Sequence, residues 1–365
     1  MSNSEGVQLR NDNMPIISNS NDDNEGSNHP LRESLYYTNS YQLIHPDLYH
    51  VWLCKNEWII HFIDNLETSM DTTLGRRLAH SSLSYSTNLD YDKWTPSKRR
   101  FTFNKKNRKI DSFEKWAVNR INYGRGLVTP INWPISFHIE NPLMVSIEVG
   151  EICSYIESLI GQSLRYQWRD DGGSNASVTF EPIDVPIRKP IECNDIDDMM
   201  EVFDINIDDK SGWPSIDGVS LCVLSIKMMH DFYKTLFEIL ISDVDDHLIE
   251  LTNDVTIVDN IVCAAACIAS SNDSQRFLLD TEEQFVSWFA ERIESYGLAT
   301  LSKTKMIENN ITITFESFLP WPMIAGILLD AWQRNNGLLG LISDVNVDDN
   351  LVNFTIKSRR EIAKN

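Results

Sequence analysis

One feature constrains this chain more than any other: it repeats itself once. The stretch FHIENPLMVSIEVGEICSYIESLIG (Phe137–Gly161) returns as TFESFLPWPMIAGILLDAWQRNNG (Thr314–Gly337). At an offset of 176 residues, Glu140 falls on Glu316, Leu143 on Leu319, Gly150 on Gly326 and Gly161 on Gly337 without a gap. Further on, ASVTFEP (Ala176, Val178, Phe180) falls on LVNFTIK (Val352, Phe354, Ile356). Upstream, Trp116-Ala117 and Tyr123-Gly124 match Phe289-Ala290 and Tyr296-Gly297 at equal internal spacing; the second copy then carries three extra residues before its Glu. A single repeat with so long a period points to a duplicated domain rather than to a solenoid.

Each copy reads the same way. FEKWAVNRINYG and EEQFVSWFAERIESYG have helical spacing of large apolar residues and end in Gly, a favoured helix stop. PISFHIE and NITITFE alternate apolar and polar residues, the mark of a half-buried strand. Pro142 and Pro322 suit the first turn of the helix that follows. Val145, Val149, Ile152, Ile156 and Leu159 form a stripe along the first of these helices, and Trp321, Ala325, Leu328 and Trp332 along the second. Gly150 and Gly326 lie inside them, where Gly costs about 1 kcal/mol against Ala, so close approach of another element is expected there. Two strands with polar turns follow in each copy: SLRYQW and NASVTFEP, then LLGLISDV and NLVNFTI. Long helical patterns precede both, HVWLCKNEWIIHFIDNLETSMDTTLGRRLAHSS and LCVLSIKMMHDFYKTLFEILISDVDDHLIEL. The expected fold class is α+β, two similar domains in each of which helices pack on a small antiparallel sheet. The expected organisation is a disordered tail over 1–30, rich in Asn, Ser, Asp and Gly, then a first domain over 31–183, an Asp-rich linker over 184–216 and a second domain over 217–365.

Apolar residues, at 42%, suffice for sizeable cores, and 365 residues suit two domains. Thirty-two basic against 53 acidic residues give a net charge of −21, which repels nucleic acid and anionic membrane. The N-terminus lacks the apolar core of a secretory signal, and no run approaches the ~20 apolar residues of a membrane span. Cys54, Cys153, Cys193, Cys222, Cys263 and Cys267 form no Cys-x-x-Cys pair and read as buried free thiols, which fits a cytoplasmic protein.

The order strand, apolar helix with an internal Gly and a Gly stop, then hairpin resembles the 4-vinyl reductase-type domain, a fold shared with subunits of the vesicle-tethering transport-protein particle. The resemblance rests on ISFHIENPLMVSIEVGEICSYIESLIGQSLRYQWRDDGGSNASVTFEP, with LGRRLA upstream. It implies a protein that binds a small hydrophobic molecule or acts as an assembly module, with a pocket between helices and sheet or a dimerising surface. It implies no reaction. Family members carry cysteines around the final hairpin; both hairpins here lack them, which argues against a metal or redox role. On this reading the pocket is lined by Trp116, Tyr123, Val149, Cys153 and Ile156 in the first copy and by Phe289, Tyr296, Leu328 and Trp332 in the second, with no cofactor, no metal and no catalytic residue. Three functions stay open: a ligand-binding or sensory protein, a protein-interaction scaffold built as an internal pseudo-dimer, and an enzyme with its site between the copies.

Other patterns point to less. DINIDDK (Asp204–Lys210) and DVNVDDN (Asp344–Asn350) space their oxygens like the start of a calcium loop, but lack its central Gly and its final Glu, and Asx turns explain both. SKRRFTFNKKNRK (Ser97–Lys109) is basic and interleaved with Phe101 and Phe103; a solvated loop before the Trp116 helix is expected. His138 lies beside Glu140 on a strand, where an acid–base pair would look the same as two solvent-facing residues.

Overall fold

A computed structural model describes residues 31, 35–38, 42–45, 49–86, 105–186, 199–202, 207–210, 213–241, 255–272 and 278–359. The expected tail over 1–30, Cys193 and most of the basic stretch before Lys105 lie outside the described residues. The fold is α+β. Two four-stranded antiparallel sheets flank a longer one of seven strands.

The first small sheet has the order β4-β5-β7-β6, from β4 (Leu127–Asn132), β5 (Ser136–Glu140), β6 (Leu164–Gly172) and β7 (Asn175–Pro182). The second has the order β12-β13-β15-β14, from β12 (Ala299–Ile307), β13 (Asn310–Ser317), β14 (Gly340–Asp348) and β15 (Leu351–Ser358). Their registers coincide. Phe137 pairs with Val178 as Ile313 pairs with Phe354, and Glu140 pairs with Asn175 as Glu316 pairs with Leu351. A helix links the second strand in sequence to the third in each, β5 to β6 and β13 to β14: α4 (Val145–Ile160) and α8 (Trp321–Asn336), both ended by a left-handed glycine, Gly161 and Gly337. Glycine adopts that conformation without steric cost. GLVTPIN and ATLSKTKMI, whose periodicity is less regular, supply the edge strands β4 and β12.

The internal glycines are where helix meets helix. A Cβ on Gly150 would stand 2.3 Å from the Ala79 carbonyl oxygen and 2.8 Å from the Leu83 nitrogen, both on α2 (Gly75–Ser86). A Cβ on Gly326 would stand 2.3 Å from the Cys263 carbonyl oxygen and 2.8 Å from the Cys267 nitrogen, both on α6 (Ile257–Ser271). α4 against α2 and α8 against α6 are therefore backbone-close crossings of the same kind.

The stretches read as long helices begin as strands. HVWLCK belongs to β3 (Tyr49–Lys55) and LCVLS to β11 (Val219–Ser225); only then do α1 (Asn56–Met70) and α5 (Ile226–Leu236) start. β3 and β11 pair antiparallel, with Leu53 opposite Val223 and Cys54 opposite Cys222. They are the centre of the seven-stranded sheet, whose order is β8-β1-β2-β3-β11-β10-β9. β1 (Tyr36–Thr38) and β2 (Leu43–His45) lie on one side, β9 (Asp208–Lys210) and β10 (Trp213–Ile216) on the other, and β8 (Met199–Val202) pairs with β1. The stretch expected to be an acidic linker thus contributes three strands, because its Met199–Val202 and Trp213–Ile216 can extend existing sheet edges.

The two halves are interlocked. Leu53 N–H donates to the Tyr296 carbonyl at 2.9 Å, and Val223 N–H donates to the Tyr123 carbonyl at 3.0 Å. α1 packs on α6, and α5 packs on α2, so each half's first helix rests on the other half's second. These contacts run in both directions, from the first half to the second and from the second to the first.

Substituting Gly150→Ala or Gly326→Ala forces the helix pair apart against backbone atoms that cannot rotate away. Overpacking of about 3 kcal/mol less the ~1 kcal/mol gained in helix propensity leaves a net loss of roughly 2 kcal/mol. Urea denaturation midpoints of the two variants should fall by similar amounts.

Candidate functional site

The nine residues expected to line apolar pockets are distributed over two filled cores. Trp116, Val149, Cys153 and Ile156 are buried in the first, where Trp116 stacks on Tyr155 at 4.3 Å between centroids with an interplanar angle of 4°. Phe289, Tyr296, Leu328 and Trp332 are buried in the second, with Tyr123 packed at its margin. Beside Trp332 a void of about 20 Å³ remains, room for about one water. Side chains, not space, occupy the interior of each half at these positions.

The first half contains a buried ionic network. Arg120, at the end of α3 (Lys105–Ile121), pairs with Glu148 and, at 2.7 Å, with Glu151, both on α4. Arg125 reaches Glu151 at 2.6 Å and Glu148 at 3.5 Å. The Gly126 N–H donates to Glu148 at 3.4 Å, and the Arg120 guanidinium lies 4.8 Å over the Trp116 ring. Burial acts to raise the Glu148 carboxyl, but the two guanidinium groups outweigh it and hold the group below its ordinary value. The matching positions in the second half are apolar: Ile293, Leu298, Ile324 and Ile327 stand where Arg120, Arg125, Glu148 and Glu151 stand in the first. Two positive and two negative charges pair off, and the network ties α3 to α4.

Cys54 and Cys222 face each other across β3 and β11, and burial pushes the Cys54 thiol up, which keeps it protonated and unreactive. His138 Nδ1 lies 3.8 Å from Asp171, and the Ser177 hydroxyl donates to that same Asp171. The serine proton points at the carboxylate rather than at the imidazole, on an open sheet face. Among the described residues, no group of three or more His, Cys, Asp or Glu is placed to hold a metal ion. Lys109, from the basic stretch, donates to the Leu159 carbonyl at 2.5 Å and closes the C-terminus of α4. Asp344 and Asp349 adopt left-handed conformations in and after β14, as Asx-rich turns do.

A cleft lies between the halves. It encloses about 360 Å³ and is walled by β3 and α1 of the first half and by α6, α7 (Glu282–Phe289), a π-helical turn (Ala290–Glu294) and α8 of the second. Its aromatic surface comes from Trp52, Trp58, Trp288 and Tyr296. The Trp58 ring stacks on Phe62 at 5.2 Å and its indole N–H donates to Ser270 at 2.9 Å. Trp52 meets Trp58 edge-on at 5.8 Å, and its indole Nε1 is buried with no hydrogen-bond partner among the described residues. Lys55, Arg292 and Arg334 line the cleft together with Glu291 and Asp330. The π-turn, which widens the helix by one residue per turn, sits where the first half has the regular end of α3, and such turns concentrate at functional sites. Of the sequence-chosen residues, only Tyr296 borders this cleft. The signal that could have found the rest was the pair Trp52 and Trp58, six residues apart across a strand–helix junction.

No family model, curated protein or solved structure matches the chain. No helix among the described residues is long and apolar enough to cross a membrane.

Removing one member of the ionic network strands a buried charge. Arg120→Ile alone should lower stability by about 3–5 kcal/mol, whereas the fourfold replacement Arg120→Ile, Arg125→Leu, Glu148→Ile and Glu151→Ile, which copies the second half, should be neutral or stabilising. Because folding lowers the Glu148 carboxyl, its contribution is complete above the ordinary value of 4.5 and disappears as pH falls through the lower folded-state value. Thermal melts between pH 7 and pH 3 should therefore show a shallower acid slope in the fourfold variant than in the parent.

Proposed function

We propose that this protein is a non-catalytic binding protein, made of two fused and intertwined copies of one α+β unit, which holds a small molecule in the cleft between them. The observation that carries the reading is the cleft: about 360 Å³, within the range of small-molecule sites, rich in tryptophan and bordered by a few convergent polar groups. A filled interior in each half supports a site between the halves over a pocket inside each. The geometry of the His138, Asp171 and Ser177 cluster and the protonated Cys54 thiol speak against a hydrolytic or thiol-based reaction. The resemblance to small-molecule-binding 4-vinyl reductase-type domains agrees in kind, although the cleft argument does not require it. The matched registers of the two small sheets support descent from a single duplicated unit, and the internal pseudo-dimer is what creates the cleft.

Native mass spectrometry of protein purified from its own host should detect a retained small molecule that is released on denaturation. Paired Trp58→Ala and Trp288→Ala substitutions should abolish retention, while Leu240→Ser, at a fully exposed position, should not. Retention of a protein instead of a small molecule, unaffected by the tryptophan changes, would favour the scaffold.

A further inference from the structure

Resting on that reading, we infer that the occupant is an uncharged, planar aromatic molecule that offers a hydrogen-bond acceptor to the Trp52 indole N–H. The charged side chains of the cleft wall are occupied with the protein itself. Arg334 pairs with Asp330 at 3.4 Å, one helical turn away on α8, and Arg292 pairs with Glu291 at 3.2 Å. Lys55 is likewise engaged within the protein. A ligand bringing a charge of either sign would enter a site whose own charges already have partners, and an ion taken from water without a counter-ion is costly. Charge is therefore not what the cleft selects.

The unmet group is neutral. The Trp58 indole N–H is satisfied by Ser270, whose hydroxyl in turn donates to the Ala266 carbonyl at 2.8 Å. Trp52 walls the same cleft and is only 2% exposed, and its indole N–H finds no acceptor among the described residues. Of the side chains lining the cleft, Trp52 alone has such a buried, unmatched polar atom among the described residues. An indole is a donor only, and a buried donor left unmade is costly. A ring nitrogen or a carbonyl oxygen on the ligand matches it without importing a charge.

The remainder of the surface describes the body that carries this acceptor. Trp52 and Trp58 present an edge-on pair from the first half, and Trp288 and Tyr296 close the cleft from the second. Rings of this kind favour offset or edge-on contact with another aromatic. A volume of about 360 Å³ lies near the low end for small-molecule sites, which suits one compact ring system rather than a chain-like lipid. Counted from the strand–helix junctions, Cys222 and Met228 stand in β11 and α5 where Trp52 and Trp58 stand in β3 and α1. Neither the indole donor nor the aromatic pair is reproduced there, so the site is expected once per chain.

The test uses the full chain and three neutral probes of one shape: naphthalene, quinoline and isoquinoline. Binding is measured by calorimetry at mildly alkaline pH, where both ring nitrogens are unprotonated. A net hydrogen bond predicts that the better of the two aza-rings binds about fivefold more tightly than naphthalene. Trp52→Phe, which removes the indole N–H while keeping an aromatic ring, should bring the probes within twofold of one another; circular dichroism checks that it folds. The parent chain gives a second readout: in nitrogen-15 spectra one indole N–H resonance should move downfield with the aza-ring and not with naphthalene. Equal binding of all three probes, lost in Trp58→Ala, would overturn the acceptor inference and leave the cleft as a site. A preference for the aza-ring that survives in Trp52→Phe, or no indole resonance that responds to it, would overturn the assignment to Trp52. Tighter binding of 1-naphthoate or of cationic 1-naphthylmethylamine than of every neutral probe would overturn the inference in favour of a charged occupant. Failure of every probe to bind in a manner sensitive to Trp58→Ala would overturn the cleft reading itself.

Discussion

The pairing of β3 with β11 is the contact on which the rest of the molecule hangs. Two strands distant in sequence meet with Leu53 opposite Val223, and each of those residues turns its N–H outward to a tyrosine carbonyl of the other half. A backbone N–H buried without an acceptor is expensive, so these two hydrogen bonds fix how far the halves can slide. They also set where the helices leave the sheet. Because α1 and α5 start directly after the central strands, each is delivered onto the partner half's second helix. Neither half can bury its first helix alone, and the two are one folding unit despite their separate small sheets.

The same arrangement explains the role of the Tyr-Gly pairs. Tyr123 and Tyr296 supply the reciprocal acceptors, and the following glycines permit the approach. A Cβ on Gly124 would lie 2.0 Å from the Leu221 carbonyl oxygen, inside the other half's central strand. What reads locally as a helix stop is also the point at which the halves touch.

Between matched folds the chemistry has diverged. One half ties its third and fourth helices with Arg120, Arg125, Glu148 and Glu151; the other has aliphatic residues at the matching positions, three of which line the cleft. A buried ion network and a well-packed apolar joint can have similar net worth, because the cost of desolvating the charges offsets most of their attraction. The second half carries Arg292 and Trp288 into the cleft, at and beside the π-turn.

Much of the fold was legible from the residues alone. The alternation in PISFHIE and NITITFE marked β5 and β13, the Gly-terminated stripes marked α4 and α8, and the interior glycines announced a close helix crossing. Short apolar runs were not legible: VWLC and LCVL fit a buried strand as well as a helix, since a strand covered on both faces shows no alternation. The candidate site was hidden for a related reason. Residue spacing reports which face of an element is apolar, and so it selected Val149, Ile156 and Leu328, whose faces are indeed inward and are filled by their neighbours. What the sequence determined by itself was the fold class and several of its elements, since periodicity and turn chemistry are local properties. Only the tertiary structure decided that the units exchange helices, that an acidic stretch extends their shared sheet, and that Trp52, Trp58 and Arg292 converge. Those outcomes depend on pairing between distant strand edges, which leaves no periodic trace in the chain.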